Sequence, residues 1–436
     1  MPSTQLAFGS TTLEFELPED LAIETISPKI ASIQTGNEAV GEESPDRKAI
    51  HGIIEQELVK FTRRVEDCSK VIIACDDNTR VTPVRVLLPA IIDFARNAGK
   101  DAEIIVAGGS HRHMTVEEKI AKFGGSVIDT VEIFDHEWDC EDALVNFGQT
   151  AGGYELKLNA RVCEPGIFLV GMGNIVPHRV CGYSGGYKIL LPGLTCPDTM
   201  NKIHYLSAQF ASEAILGVPK NPVREAINEI GQYRPIDFLV NTVLDGNSNI
   251  VSLCIGDPVE SQYQGCEIAR DIYGVPVGNP ADIVITDAVP ESIDFWVCAK
   301  AVTNTKSFVK KGGDLVVLAP MTEGWSPAHG DVLFKYGYRP PVEIDALVQN
   351  GTIAPEHLLE ASHLSHLGEV QDHCNVHLVS DTVDQELLAA NGFDVVRSAD
   401  LDDLLRTIIA RQHKFVGKKK LRVKIVQRGS EILPVV

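Results

Sequence analysis

Leu13, Phe15 and Leu17 fall on one side of a short alternating stretch, with Glu14 and Glu16 between them, the period of a half-buried strand. Residues 32–50 are polar and contain Gly36, Gly41, Glu42, Glu43 and Pro45, so a surface loop is expected there. From residue 71 the pattern changes to short apolar runs separated by helical periods. Val71-Ile72-Ile73-Ala74, Ile104-Ile105-Val106 and Ile167-Phe168-Leu169-Val170 read as buried strands. Between the first two, Val84, Leu87, Leu88, Ile91, Ile92 and Ala95 mark one helical face. Thr82 and Pro83 suit its start, Gly99 suits its end, and Pro89 inside it predicts a kink. Thr115 with Glu118 forms a capping box that opens a helix through Phe123.

A second block of the same kind starts near residue 280. Ile283-Val284-Ile285-Thr286, Leu315-Val316-Val317-Leu318 and Val376-His377-Leu378-Val379 are strands separated by helical stretches, and Val395-Val396 suggests a fourth. Val275-Pro276-Val277-Gly278-Asn279-Pro280, just before it, reads as a hinge. Strand–helix alternation predicts parallel sheets covered on both faces. The expected fold is therefore two α/β domains with mainly parallel sheets and a cleft between them. The first spans residues 1–275 and the second 280–411. The tail, about 412–436, alternates again at Leu421-Arg422-Val423-Lys424-Ile425-Val426 and is expected to return to the first domain as a strand.

In open α/β sheets, ligands gather at the carboxyl ends of the strands. Three such ends carry chemistry. Cys75-Asp76-Asp77-Asn78-Thr79-Arg80 follows the first strand, and Ala107-Gly108-Gly109-Ser110-His111-Arg112-His113 follows the second. After the third come Pro177-His178 and Gly182-Tyr183-Ser184-Gly185-Gly186-Tyr187-Lys188, with His204 sixteen residues beyond Lys188. Each also has a plain reading: a turn before a helix, a loop histidine, a glycine turn with a solvated lysine, a structural helical histidine. The lysine loop is not a Walker loop, which needs Gly directly before Lys and Ser or Thr after it; Tyr187 and Ile189 stand there. Adjacent glycines do let backbone N–H groups approach an anion.

Composition narrows the partners. The chain has 436 residues, 39 basic and 60 acidic, and a formal charge of −21. So acidic a protein is a poor match for nucleic acid or an anionic membrane surface. No apolar run approaches the ~20 residues of a membrane span. The ten cysteines include no CxxC pair, which argues against a zinc ribbon or dithiol site and for reduced thiols in a cytosol. Met1-Pro2-Ser3-Thr4-Gln5 does not look like a secretory signal, so a cytoplasmic protein is expected.

At this point the sequence resembles the lactate racemase family of nickel-pincer nucleotide enzymes. The carrying residues are Asp77-Asn78-Thr79-Arg80 with Pro83, Gly109-Ser110-His111-Arg112, and His178 ahead of the Gly182–Lys188 loop, followed by Leu191-Pro192-Gly193 and His204. The resemblance covers essentially the whole chain. It implies nickel and a pyridinium-type mononucleotide bound covalently to Lys188 through a thioamide, with cofactor-biosynthesis proteins as partners. It implies Asp77, Ser184, Gly185 and Gly186 as further cofactor contacts and His204 as the protein ligand to the metal. It implies His111 and His178 as paired acid/base residues beside a small 2-hydroxyacid, with Arg80 and Lys300 holding its carboxylate and neighbouring oxygens.

The residue types suit that chemistry. The C2 hydrogen of a 2-hydroxycarboxylate resists removal as a proton, whereas leaving as hydride avoids a carbanion. The hydroxyl proton then needs a base near neutral pKa, which histidine provides. The pattern departs from the family's lactate-specific members where Val297 replaces a glutamine, where Trp296 replaces a tyrosine, and where no tryptophan matches near Ala361-Ser362-His363-Leu364-Ser365-His366. The expected activity is therefore racemisation or epimerisation at C2 of a 2-hydroxyacid other than lactate, such as an aldonate or hydroxydicarboxylate. A nicotinamide-dependent hydroxyacid dehydrogenase is the alternative, disfavoured because no G-x-G-x-x-G follows the early strands. A non-catalytic cofactor- or metal-binding protein is a third reading, which leaves the two histidines without a purpose.

Overall fold

The computed structural model describes residues 3–29, 45–417 and 419–436. Twelve strands form its two main sheets. In chain order they are β1 (Ala22–Ile26), β2 (Val71–Cys75), β3 (Ala102–Val106), β4 (Glu132–Asp135), β5 (Phe168–Asn174) and β6 (Phe238–Leu244). Then come β7 (Ile250–Gly256), β8 (Ala281–Asp287), β9 (Val309–Leu318), β10 (Asn375–Val379), β11 (Asp394–Val396) and β12 (Arg422–Val426). The first sheet runs β7-β6-β5-β2-β3-β4 and is parallel except for β7. The second runs β11-β10-β9-β8-β12-β1 and is parallel throughout. The α/β class with two mainly parallel sheets is as the alternation predicts. The central strands β2, β5, β6 and β8 are buried along their whole length, hence their largely apolar sequences.

The tail meets expectation only at its end, where Leu433 packs against Ile175, Tyr183 and Val243 of the first domain. β12 does not join the first sheet; it lies between β8 and β1 in the second. The alternation at 421–426 specifies a strand with buried Val423 and Ile425, but it does not specify which sheet has a vacant place. The chain's early segment 22–26 occupies the edge beyond it, and the hairpin Ser3–Phe8/Thr11–Glu16 packs Leu6, Phe8 and Phe15 into the same core. Val275 and Pro276, read as part of a hinge, belong to a short strand, Gly274–Pro276, paired with Leu433–Val435.

The expected loop over 32–50 falls largely outside the described residues, and its last part is helix, Pro45–Leu58. Ile50, Ile54 and Leu58 recur every four residues and bury one face against the helix Val84–Asn97, which outweighs the polar composition before them. That second helix runs through Pro89. Proline has no N–H to donate four residues back. Arg47 Nη2 donates to the freed Arg85 carbonyl at 3.3 Å, and His51 Nε2 donates to Val86 O at 2.8 Å. Gly99, at φ +69°, ends the helix: its N–H bonds to Arg96 O, and that of Lys100 bonds to Ala95 O. Thr82 does not cap the start; its hydroxyl donates to Asp76. The capping box of Thr115 and Glu118 forms as the spacing predicts.

Candidate active site

Each sheet has one place where chain growth reverses. In the first, β2, β3 and β4 step one way and β5, β6 and β7 the other, so the reversal lies between β2 and β5. In the second it lies between β8 and β12. Such reversals leave a crevice at the strands' carboxyl ends. The loops after all four strands line one pocket, through Asp77 and Arg80, His178 and Lys188, Glu291, and Glu431. The loop after β3 adds His111, the helix Pro197–Ser207 adds His204, and the helix Phe295–Thr305 adds Lys300. All ten residues singled out from the sequence therefore line a single cavity between the two sheets.

Asp77 accepts the N–H of Thr79 at 3.1 Å and its hydroxyl at 2.5 Å, a local turn that fixes the carboxylate. Its other oxygen takes the Nδ1–H of His111 at 2.7 Å. Burial alone would raise the Asp77 pKa, but that bond, the charges of His111 and Arg80, and Thr79 hold it below the usual carboxylate range. An ionised carboxylate only accepts, so in the neutral imidazole of His111 the proton sits on Nδ1 and the lone pair on Nε2. Asp77, expected beside the cofactor, is thus placed to orient a base.

His178 is held the opposite way. It lies in a two-residue ribbon, Pro177–His178 against Gly182–Tyr183. The N–H of Val180 donates to its Nδ1 at 3.2 Å, so the ring proton of the neutral imidazole is on Nε2. Burial, followed by the positive charges of Lys188, Lys300 and Arg80, pushes the His178 pKa far below its ordinary value.

Lys188 sits in the short turn Gly186–Ile189. Gly185 and Gly186 have φ of +78° and +63°, and a Cβ at Gly185 would stand 2.6 Å from Ile175 Cγ1. The turn therefore needs glycine at position 185 on both counts. Burial brings Lys188 down to about 8, with Arg80, Lys300 and Arg224 acting in the same direction and Cys181 opposing them. At neutral pH an appreciable fraction is then a free amine, which can act as a nucleophile. The Ser184 hydroxyl is used within the protein: it donates to Asn174 O at 2.6 Å and accepts the Val176 N–H at 2.9 Å, tying its loop to the end of β5.

His204 donates its Nδ1–H to Met200 O at 2.8 Å, one helical turn back. Its Nε2 is left with the lone pair that a metal ligand needs. Burial lowers its pKa to about 4, so the ring is neutral at physiological pH. Among the described residues no group of three or more His, Cys, Asp or Glu side chains could hold a metal ion. Asn241, on β6, lines the pocket against Gly173 and Gly185, fully buried, with neither its amide oxygen nor its nitrogen hydrogen-bonded. Buried polar atoms of this kind are seldom left unpaired, which suits a nucleotide in the site.

The opposite wall comes from the second sheet. Trp296 stacks between His329, at 4.1 Å between ring centres, and His363, at 4.3 Å. Ser362, His363 and His366, on the helix Leu358–His373, are buried and line the pocket rather than facing water. The Asp294 side chain caps the Lys300 helix by accepting the Val297 N–H at 2.9 Å. Lys300 Nζ donates to Glu291 Oε1 at 2.5 Å, and the same oxygen is 3.7 Å from Arg80 Nη1. Sequence reasoning did not single out Glu291, Glu431, Asn241 or His329. The first two follow β8 and β12, where a reading of strand ends in the second block would have found them.

Residues 8–215 match the domain family described as lactate racemase N-terminal domain. The lactate racemase of Thermoanaerobacterium thermosaccharolyticum is 27% identical over 335 residues, 74% of this chain and 76% of that protein. The lactate racemase of Lactiplantibacillus plantarum is 26% identical over 361 residues, 78% of this chain and 80% of that one. The structure of the T. thermosaccharolyticum lactate racemase apoprotein superposes over the whole of both chains with a TM-score of 0.83 at 22% identity. A Thermotoga maritima crystal structure aligns with a TM-score of 0.72 at 19% identity, over 88% of this chain and 98% of that one. By its matching domain, which spans just under half of the chain, and by these relatives, the protein is similar to the lactate racemases.

Proposed function

We propose that this isomerase inverts C2 of a 2-hydroxyacid other than lactate, using a nickel-pincer nucleotide carried on Lys188. The observation that carries this reading is the convergence on one pocket of a lysine with a pKa near 8 and two histidines from separate loops. Lys188 supplies the amine for a thioamide link, His204 Nε2 the protein ligand to nickel, and Asn241 and the Gly185-Gly186 turn lie beside them for the nucleotide's polar groups. When bound, the cofactor supplies an acceptor for the C2 hydrogen as hydride, the difficult part of the chemistry. The protein's part is to orient the acid and move its hydroxyl proton.

Arg80 and Lys300 hold the carboxylate, with Arg80 able to do so bidentately. His111 Nε2 takes the hydroxyl proton of one enantiomer, and the imidazolium formed is stabilised by Asp77. His178 serves the other. In the substrate-free state its Nε2 bears the proton, so it starts as a hydrogen-bond donor to the substrate oxygen. It becomes an acceptor once the proton has shifted to Nδ1 and the Val180 bond has opened. The planar ketoacid between the two steps can regain hydrogen on either face. The wall of Trp296, Ser362 and His363 replaces the residues expected for lactate and favours a longer or more polar acid, an aldonate or a hydroxydicarboxylate. Loading of the chain implies cofactor-biosynthesis proteins as partners. Among the described residues no helix is long and apolar enough to cross a membrane.

The test is to produce the protein together with the cofactor pathway and offer single enantiomers of a 2-hydroxyacid panel without NAD. Conversion to a mixture of configurations supports the reading. Turnover that requires NAD would make the protein a dehydrogenase, and no turnover across the panel would make it a binding protein.

A further inference from the structure

Four cations line the pocket, Arg80, Arg179, Lys188 and Lys300, and four carboxylates do so as well. Arg179 has its own partner in Glu369, at 3.2 Å. Three of the carboxylates are engaged elsewhere. Asp77 is bonded to His111 and Thr79. Asp76 pairs with Lys122 at 2.9 Å. Glu431 pairs with Arg428 at 2.8 Å. Glu291 is different: its partners are Lys300 and Arg80, the two residues read as the substrate's carboxylate site. It stands on the loop after β8, with its side chain only 10% exposed. The pairing also joins the two halves of the molecule, since Arg80 follows a strand of the first sheet and Glu291 a strand of the second.

A substrate carboxylate brings the same charge and the same two acceptor oxygens to the same two donors. Two carboxylates sharing that spot would repel each other, as like charges do in a site with little solvent. Without Glu291, Arg80 would keep only the weaker pull of Asp77 and Asp76, and Lys300 that of Glu431, while both still face Lys188, and burying poorly paired charge is costly. Glu291 resolves both conditions if it occupies the site only until substrate arrives. We infer that Glu291 is an internal counter-ion that holds Arg80 and Lys300 in place of the substrate carboxylate and is exchanged for it on binding. It is thus a positioning residue that sets how tightly hydroxyacids and ketoacids are held, and its return to the cations assists product release.

The inference rests on Arg80 and Lys300 being the carboxylate site, and the test separates the two claims. Glycolate, the smallest 2-hydroxyacid, is titrated calorimetrically into the full chain, avoiding dependence on the side-chain wall. Glu291→Gln keeps the shape and removes the charge, so it should bind glycolate about tenfold tighter or more, since the internal competitor is gone. Glu291→Asp restores the charge and should return affinity towards the wild-type value. In the loaded enzyme, Glu291→Gln should lower KM and, by slowing release, kcat as well. A merely structural role would not give tighter binding, so equal, weaker or undetectable binding in Glu291→Gln overturns the exchange. Separately, Arg80→Ala and Lys300→Ala should each weaken glycolate binding in the Glu291→Gln background. If neither does, it is the carboxylate site itself that has been misassigned.

Discussion

His111 Nδ1 and Asp77 Oδ2 stand 2.7 Å apart, and this contact decides which ring nitrogen meets the substrate. Asp77→Asn keeps the size but can offer an N–H to Nδ1, which turns the imidazole to the other tautomer and puts its proton on Nε2. Turnover should fall about a hundredfold or more with little change in KM, because binding does not use this bond. Steady-state kinetics on a substrate of the wild type checks it.

Lys188→Ala should abolish covalent loading while the fold is retained, read by intact mass after co-production with the cofactor pathway. An adduct still mapped elsewhere on the variant would exclude Lys188 as the anchor. The lowered pKa of about 8 adds a pH dependence to loading. The free amine is the nucleophile and its fraction grows as pH rises through that value. The loading rate should therefore climb between about pH 7 and 9 and then level off.

His204→Ala should lose nickel while Lys188 still carries the organic part, because the ring's Nε2 is the donor and its removal does not touch the lysine. Metal analysis beside intact mass separates the two losses. Unchanged nickel content would sink the assignment.

Far from the site, His377 links Asp314 at 2.9 Å and Asp394 at 2.8 Å. Burial lowers the His377 pKa but the two carboxylates more than reverse this, leaving it raised, while both aspartates are lowered. The histidine's contribution is complete below its ordinary value of about 6.5 and is lost as pH rises through its raised folded value. The aspartates contribute above about 3.9 and lose their part as pH falls through their lowered folded values. His377→Ala should cost about 2 kcal/mol near pH 6, with Arg411 and Gln412 still holding Asp314, and the gap from wild type should narrow as pH rises. Thermal melts across pH measure this.

The chemistry was legible where it follows a strand directly. Asp77, Arg80, His111 and His178 stand within eight residues of a buried apolar run and Lys188 eighteen beyond Val170, and the resemblance gave them roles. Asn241 was hidden because it lies inside a strand, where Asn241 and Thr242 interrupt an apolar run and, of the two, Asn241 lines the pocket. Glu291 acquires meaning only from Arg80, which is more than 200 residues away and brought near by the packing of two sheets. The tail strand Arg422–Val426 lies in the other sheet for a similar reason: alternation names the buried face of a strand, while its neighbours are chosen by which sheet positions remain open.

The most direct measurement follows the cofactor's absorbance in single turnovers of the loaded enzyme with each pure enantiomer of a hydroxyacid it racemises. Wild type should be reduced by both enantiomers. His111→Ala and His178→Ala should each lose the half-reaction of a different enantiomer, and both should be crippled in full racemisation. Loss of the same enantiomer's half-reaction in both variants would contradict the two-base arrangement and leave one of the histidines with a positioning role only.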